Sequence, residues 1–252
     1  LFVQIICSAN GFDVSSATPQ PGDMLFNVGR GSGLAETLLT QPGVAGVRTA
    51  LNPIIGSDYD TVVYSAALER AGLPAPKTIY GSVETTQQKS QCVEYLGGYP
   101  VVIKVRGLSK GVGVLYCESY ASFSAQIDYL NRTNRQYIIR EFFPHTAAYR
   151  ITVLGTEVLA STLKPVRRND FRTGSKDMKL INTTQSLQKI SILAAAEIGS
   201  EFCGVDVIAK GEEYNILEIN PPCDFTYLPS IGFDGAAEKI VAYLMRKSTQ
   251  II

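Results

Sequence analysis

One stretch limits the rest of this chain more than any other: residues 202–223, FCGVDVIAKGEEYNILEINPPC. Two apolar runs flank the polar turn Lys210-Gly211-Glu212-Glu213, the pattern of a β-hairpin. Each run carries acid where a buried sheet should not want it: Asp206 in GVDVI, and Glu218, with Asn220, in ILEIN. Folding about the turn brings residue 206 opposite residue 218 to within one register step, and cross-strand neighbours sit about 5 Å apart at Cβ. Glu218 and Asn220 are two apart on one strand, so they share a face. Two carboxylates and an amide oxygen therefore converge on one spot. Unpaired carboxylates in an apolar sheet are costly, and a bound divalent cation removes that cost. Hard oxygen donors without His or Cys favour Mg²⁺ held jointly with phosphate, with Mn²⁺ as an alternative. The plainer reading is an amphipathic hairpin with its polar face in water; it suits Asp206 alone better than all three residues together.

At 252 residues the chain has room for one large domain or about two to three small ones. Lys plus Arg and Asp plus Glu both number 23, so there is no electrostatic case for nucleic acid or an anionic membrane as partner. The apolar runs LFVQII and LAAAEIG are too short to span a bilayer. No charged segment precedes LFVQII, which argues against a secretory signal, and Leu1 in place of Met reads as a trimmed start. Five scattered cysteines, an odd number without CxxC spacing, suit a reducing cytosol, so a cytoplasmic location is expected.

Along the chain, LFVQIIC reads as a short buried strand and residues 24–28 as a second. GRGSG then leads into a helix, LAETLLTQ, but lacks P-loop or dinucleotide spacing and reads as a plain strand–helix connection. Helical spacing of Val62, Val63, Ala66, Ala67 and Leu68 predicts a helix over 58–71 with Asp58 as N-cap, ended by GLPAPKT; a polar helix follows at 83–95. VVIKV reads as a strand buried on both faces, and Lys104 inside it requires a partner. The loop 106–113, with Gly107, Ser109, Lys110, Gly111 and Gly113, suits a polyphosphate, although ordinary hairpins also use glycine. VGVLYC returns from it. A helix over 123–131, a strand QYIIREFFP bending at Pro144, and a hairpin YRITVLGTEVLASTLKP about Gly155-Thr156 come next. Arg140, Glu141, Arg150, Lys164, Arg167, Arg168 and Arg172 cluster here, and a scatter of arginines on solvated strands is the alternative. The helix at 186–200 should bury Leu187, Ile190, Leu193, Ala194 and Ile198, and the closing helix at 235–247 should pack through Ala236, Ile240, Val241 and Leu244. His145, the single histidine, follows a proline in a bend and reads as a surface residue.

In this order the parts resemble the ATP-grasp superfamily over residues 58–245, most closely its RimK-like branch of amino-acid and glutamate ligases. GYPVVIKVRGLSKGVGV is similar to the family's strand–lysine–glycine loop, and REFFP to the hinge that borders adenine. YRITVLG and DFRTG resemble segments bearing phosphate arginines, and GVDVI and LEINPP the metal strands. The resemblance implies an α/β (α+β) chain with the ATP-grasp fold: two α+β lobes, 58–143 and 144–252, clasping the nucleotide. A shortened Rossmann-like lobe at 1–57 would precede them.

Residue by residue, the resemblance implies that Lys104 pairs with the α/β-phosphates of ATP while Gly107, Ser109, Lys110, Gly111 and Gly113 close over the triphosphate. Glu141 and Phe143 would lie at the hinge, offering main-chain bonds to adenine, with Phe142 between them. Asp206, Glu218 and Asn220 would ligate Mg²⁺. Arg150 and Arg172 would face the γ-phosphate and the acyl phosphate. The activity implied is an ATP- and Mg²⁺-dependent carboxylate–amine ligase acting through an acyl phosphate on an amino acid, short peptide or protein tail. Its partners would be ATP, the carboxylate and the amine, with a homo-oligomer left open. Such chemistry needs positioning and charge neutralisation rather than a side-chain nucleophile, which suits a chain with no Ser-His-Asp set. Three departures stand out: Thr61 where relatives often carry lysine, Ala148 where an acid precedes the phosphate arginine, and Pro221-Pro222-Cys223-Asp224 in place of a small residue and Pro-Gly. Residues 172–176 and the loop after Asn220, with Asp224 and Tyr227, are the expected substrate pocket. Two other functions stay open: a nucleotide-binding regulatory or scaffold module that has lost turnover, and an enzyme that stops at phosphoryl transfer.

Overall fold

Alternating apolar residues and left-handed glycine turns divide most of this chain into two antiparallel sheets. The computed structural model describes residues 24–26, 45–47, 61–108, 111–166, 178–221 and 223–249. Strands β1 (Met24–Phe26) and β2 (Ala45–Val47) pair in parallel, as strands of an α/β lobe do. The expected strand LFVQIIC, the GRGSG turn, the helix LAETLLTQ and the Asp58 cap lie outside the described residues.

The smaller sheet has the order β3-β6-β4-β5, from β3 (Thr78–Tyr80), β4 (Val101–Val105), β5 (Val114–Cys117) and β6 (Tyr137–Glu141). Helices α2 (Thr86–Tyr95) and α3 (Tyr120–Arg132) cover one face. Each begins where the sequence offers a cap. Thr85 and Gln88 form a reciprocal capping box, and the Ser119 hydroxyl accepts from the Ser122 amide. Val101, Ile103 and Val105 pack there with Phe123, Ile127 and Ile139. VVIKV is not buried on both faces as its composition predicts. It alternates, with Val102 and Lys104 half-buried on the opposite side, because that side looks into the space between the two sheets.

The larger sheet has the order β11-β10-β7-β8-β9, from β7 (Ala147–Leu154), β8 (Glu157–Lys164), β9 (Lys179–Leu180), β10 (Phe202–Lys210) and β11 (Glu213–Asn220). The junction between the sheets is the short run from Glu141 to Ala147. Helix α4 (Gln185–Glu197) packs behind the larger sheet, and so does α1 (Thr61–Arg70). Tyr64, Ala67 and Leu68 of α1 join Ile151, Val205, Val207, Ile216 and Ile219 in one core. Sequence order groups α1 with the smaller lobe; its apolar face packs with the larger one.

Two expected inward residues face out. Leu193 is 45 % exposed and Val241 37 % exposed. In α4 the buried stripe is Leu187, Ser191 and Ala194, continued by Ile198. Ser191 can occupy an inner position because its hydroxyl donates to the Leu187 carbonyl at 2.8 Å, which turns Leu193 away. In α5 (Ala236–Thr249) the inner residues Ala236, Ile240, Tyr243 and Leu244 leave Val241 a step of about 100° off the stripe.

Candidate functional site

The β10–β11 hairpin closes with Asp206 directly opposite Glu218. The next strand sets Arg150 opposite Asp206, and the one beyond sets Thr162 opposite Arg150. Four neighbouring strands thus line up Thr162, Arg150, Asp206 and Glu218 in one row. Between Asp206 and Val207 the register shifts, leaving Leu217 as the extra residue of a bulge beside Glu218. Asn220 lies one pleat along, opposite Gly204. A Cβ at Gly204 would stand 3.2 Å from Cys223 Cβ and 3.4 Å from Arg150 Nε, so this position is closely packed against both.

The acids converge as the sequence implies, but they are not unpaired. Arg150 grips Asp206 with both arms: Nε donates to Oδ1 at 2.8 Å and an NH₂ group to Oδ2 at 2.9 Å. Lys164 Nζ reaches the same Oδ1 at 2.7 Å. From the smaller sheet, Lys104 Nζ meets Glu218 Oε2 at 3.3 Å, which supplies the partner that a lysine in VVIKV requires. The reason is electrostatic. A carboxylate inside a sheet is stable when cations stand next to it: register brings Arg150 and Lys164 to Asp206, and the smaller sheet brings Lys104 to Glu218. Burial alone would push the Asp206 carboxyl up. Arg150 and Lys164 outweigh that and hold it down to about 2. Asp206 in turn pushes Arg150 further up, whereas burial beside Arg150 pulls Lys164 down.

Capacity for a metal differs between the acids. A carboxylate offers about four lone-pair sites. Asp206 spends three of them on Arg150 and Lys164, and its side chain is 14 % exposed; Glu218 spends one on Lys104 and is 38 % exposed. The Asn220 amide nitrogen is buried with no hydrogen-bond partner among the described residues; as a donor it suits a phosphate oxygen, and the amide oxygen is the atom that could face a metal. Among the described residues no three His, Cys, Asp or Glu side chains group as a metal cage. Two acids and an amide fit Mg²⁺ all the same, because that ion is held by one or two carboxylates together with substrate phosphates. The three bases of the row leave it one positive charge in excess, which suits an anionic magnesium–triphosphate.

The glycine loop follows the strand that carries Lys104, and the hinge precedes the strand that carries Arg150. Gly107, Gly111 and Gly113 have φ of +75°, +78° and +79°, a region closed to other residues at low cost. A Cβ at Gly113 would also stand 2.6 Å from Leu108 Cδ1. Ser109 and Lys110 of this loop, Arg167, Arg168 and Arg172, and the pocket segment 172–176 lie outside the described residues. At the hinge, the Glu141 amide donates to the Lys77 carbonyl at 3.0 Å, and its carboxylate accepts from the Lys77 amide at 2.9 Å. Glu141 therefore spends its main-chain donor on β3's approach and not on a base. Phe142 packs edge-on to Tyr116 with ring centroids 5.0 Å apart. The Phe143 carbonyl meets His145 Nδ1 at 3.0 Å.

Two site residues carried no role in the sequence reading. Lys164 was legible only as one of several bases; extending the register from Arg150 through Thr162 along β8 would have placed it beside Asp206. Arg140 is buried, donating to the Leu217 carbonyl at 2.9 Å and to the Ser65 hydroxyl. Thr61 bonds its own neighbour, Tyr64, at 2.9 Å. A separate surface cavity of about 470 Å³, along Glu157–Ser161 of β8 and residues 180–183, contains none of the row.

The pattern of a RimK-like ATP-grasp domain matches residues 60–244. Among curated relatives, a "Probable alpha-L-glutamate ligase" of Enterobacter sp. (strain 638) is 24 % identical over 187 residues, covering 72 % of this chain and 62 % of the relative. The chain thus spans less than two thirds of that relative's length. Among solved structures, the ATP-grasp ligase PsnB with precursor peptide PsnA2 and AMPPNP superposes with TM-score 0.61 at 16 % identity, over 82 % of this chain and 62 % of PsnB. The D-alanine–D-alanine ligase of Bacillus anthracis complexed with ATP gives 0.63 at 14 % identity, over 88 % and 75 %. These two share the fold. With the domain pattern covering well over half of its length, the chain belongs to the RimK-like ATP-grasp family.

Proposed function

We propose that this chain is an ATP- and Mg²⁺-dependent carboxylate–amine ligase acting through an acyl phosphate. The observation that carries the reading is the row of paired charges where the two sheets face each other: Lys104 against Glu218, then Asp206 against Arg150 and Lys164. Such a row holds its cations ready for phosphate oxygens. Lys104, on the smaller sheet, draws the α/β-phosphates between the lobes. Arg150 and Lys164 neutralise charge on the transferring phosphoryl group, whose transition state needs positioning more than a covalent partner. Arg172 serves the acyl phosphate. Glu218 and Asn220, with the remaining lone pair of Asp206, would hold Mg²⁺, which would offset the charge of the phosphates. The loop with Gly107, Ser109, Lys110, Gly111 and Gly113 covers the triphosphate and keeps water from the acyl phosphate. Phe142 and Phe143 border the base, with Glu141 fixing the hinge. The substrate's carboxylate attacks the γ-phosphate and ADP leaves; the amine then displaces phosphate from the acyl carbon. Relatives named as glutamate ligase and as a ligase with its precursor peptide support an amino acid, a peptide or a protein tail as substrate. No described helix is long and apolar enough to cross a membrane, and we place the protein in the cytoplasm with its ATP.

One observation favours a second reading, a nucleotide-binding module without turnover: Asp206 already spends both its oxygens on Arg150 and Lys164. A coupled ADP assay separates the two. With ATP and Mg²⁺ present, ADP should accumulate only when a carboxylate and an amine are supplied together. ATP that raises the melting temperature while no pair of amino acids or peptides yields ADP would select the module.

A further inference from the structure

Arg140 is 6 % exposed, yet both acceptors it reaches are neutral. One arm donates to the Leu217 carbonyl at 2.9 Å and another to the Ser65 hydroxyl, while its Nε is buried without a partner among the described residues. A guanidinium is expensive to bury in this way, so its position calls for a reason.

The location supplies one. Arg140 belongs to β6 of the smaller sheet, where Val102 is its direct neighbour and Lys104 the diagonal one. Its acceptor Leu217 belongs to the edge strand of the larger sheet and is the extra residue of the bulge next to Glu218. Bulges re-aim the side chains beside them, and this one faces away from β10, with no ladder partner on its outer edge to fix it. Its neighbour Ile216 is tied by donating to the Pro74 carbonyl at 2.8 Å. The Leu217 carbonyl accepts from Arg140, a contact that comes from the opposite sheet. Glu218 is the carboxylate whose charge acts on the buried guanidinium.

We propose that Arg140 is a positioning residue: reaching across from the opposite lobe, it pins the bulge at Leu217 and so sets the direction in which Glu218 presents its carboxylate to the metal. This rests on the reading of Glu218 as a Mg²⁺ ligand. Arg140 touches neither metal nor nucleotide. It makes the metal site complete only when the smaller sheet stands over the larger one.

The test compares wild type with Arg140→Met and Arg140→Lys, measuring ADP formation against Mg²⁺ at saturating ATP, and ATP KM at saturating Mg²⁺. Residues that orient a metal ligand typically change metal affinity about 10-fold or more when removed. Arg140→Met should raise half-saturating Mg²⁺ by about 10-fold and leave ATP KM within about threefold, with Arg140→Lys in between. A merely structural arginine would lower the melting temperature of the variants and leave half-saturating Mg²⁺ where it was; that result overturns the inference. Should the Met variant fail to fold, the Lys variant decides by the same readout. A wild type whose ATP turnover ignores Mg²⁺ would instead remove the metal reading of Glu218, and this inference with it.

Discussion

Replacing Asp206 by Asn removes one negative charge and leaves two buried bases facing each other. Arg150 and Lys164 now share Asp206 at 2.8 and 2.7 Å, and all three side chains are largely shielded from water. Breaking a buried pair from one side costs about 3–5 kcal/mol, because the remaining charges stay desolvated. Titration gives a separate handle on the same interaction. The carboxyl is held from its usual 3.8 down to about 2, which corresponds to about 2 kcal/mol of stability. A carboxyl depressed on folding stabilises above its unfolded pKa and loses that stabilisation as pH falls through the folded value. The contribution is therefore intact at pH 5 and above, about 1 kcal/mol smaller at pH 3, and gone below about pH 2. Urea unfolding of wild type and Asp206→Asn at pH 7, 5 and 3 measures both quantities. The variant should be weaker by about 3–5 kcal/mol at pH 7, with the gap about 1 kcal/mol narrower at pH 3. A variant within about 0.5 kcal/mol of wild type at pH 7 would show that the pairing carries no stability, and the reasoning from burial would fail.

Other substitutions separate the parts of the site. Lys164→Met leaves both Arg150 bonds to Asp206 in place and removes a buried charge, so it should cost less than about 1.5 kcal/mol in urea unfolding while slowing ADP formation. A stability loss as large as that of Asp206→Asn would mean that Lys164, not Arg150, anchors the acid. Gly113→Ala forces an alanine to φ +79° and pushes against Leu108, at a local cost of about 1–2 kcal/mol. Calorimetry should show ATP binding about tenfold weaker for this variant, with the melting temperature lower by no more than about 8 °C, and unchanged affinity would take the glycine loop out of the nucleotide site.

Much of this site could be read from the chain because its signals are local. Asp206 and Glu218 stand out since acid interrupts apolar strands, and the Lys210-Gly211 turn fixes their register to the pairing observed. Lys104 stands out for the same reason inside VVIKV. The partners could not be read so directly. Arg150 and Asp206 are 56 positions apart and Lys104 and Glu218 are 114 apart, so their pairing depends on how strands and lobes meet. The expected convergence of bare acids on a metal missed this, because hairpin geometry says nothing of which third strand lies alongside. Helix α1 shows the same limit: its stripe of Ala67 and Leu68 marks a buried face without saying which sheet buries it. Ser191 shows a smaller one, since a serine that satisfies its hydroxyl within the helix can take an apolar position and rotate Leu193 outward.

Calorimetric titration of ATP into the wild type and into Glu218→Gln, each with and without Mg²⁺, tests the central claim most directly. Glu218 is half-exposed, and among the described residues its carboxylate pairs with Lys104, so its variant should fold normally. The account predicts wild-type binding that needs Mg²⁺, and in the variant a loss of at least about tenfold in that Mg²⁺-dependent part. ATP affinity indifferent to Mg²⁺ in the wild type, or an unchanged Mg²⁺ dependence in Glu218→Gln, would contradict it.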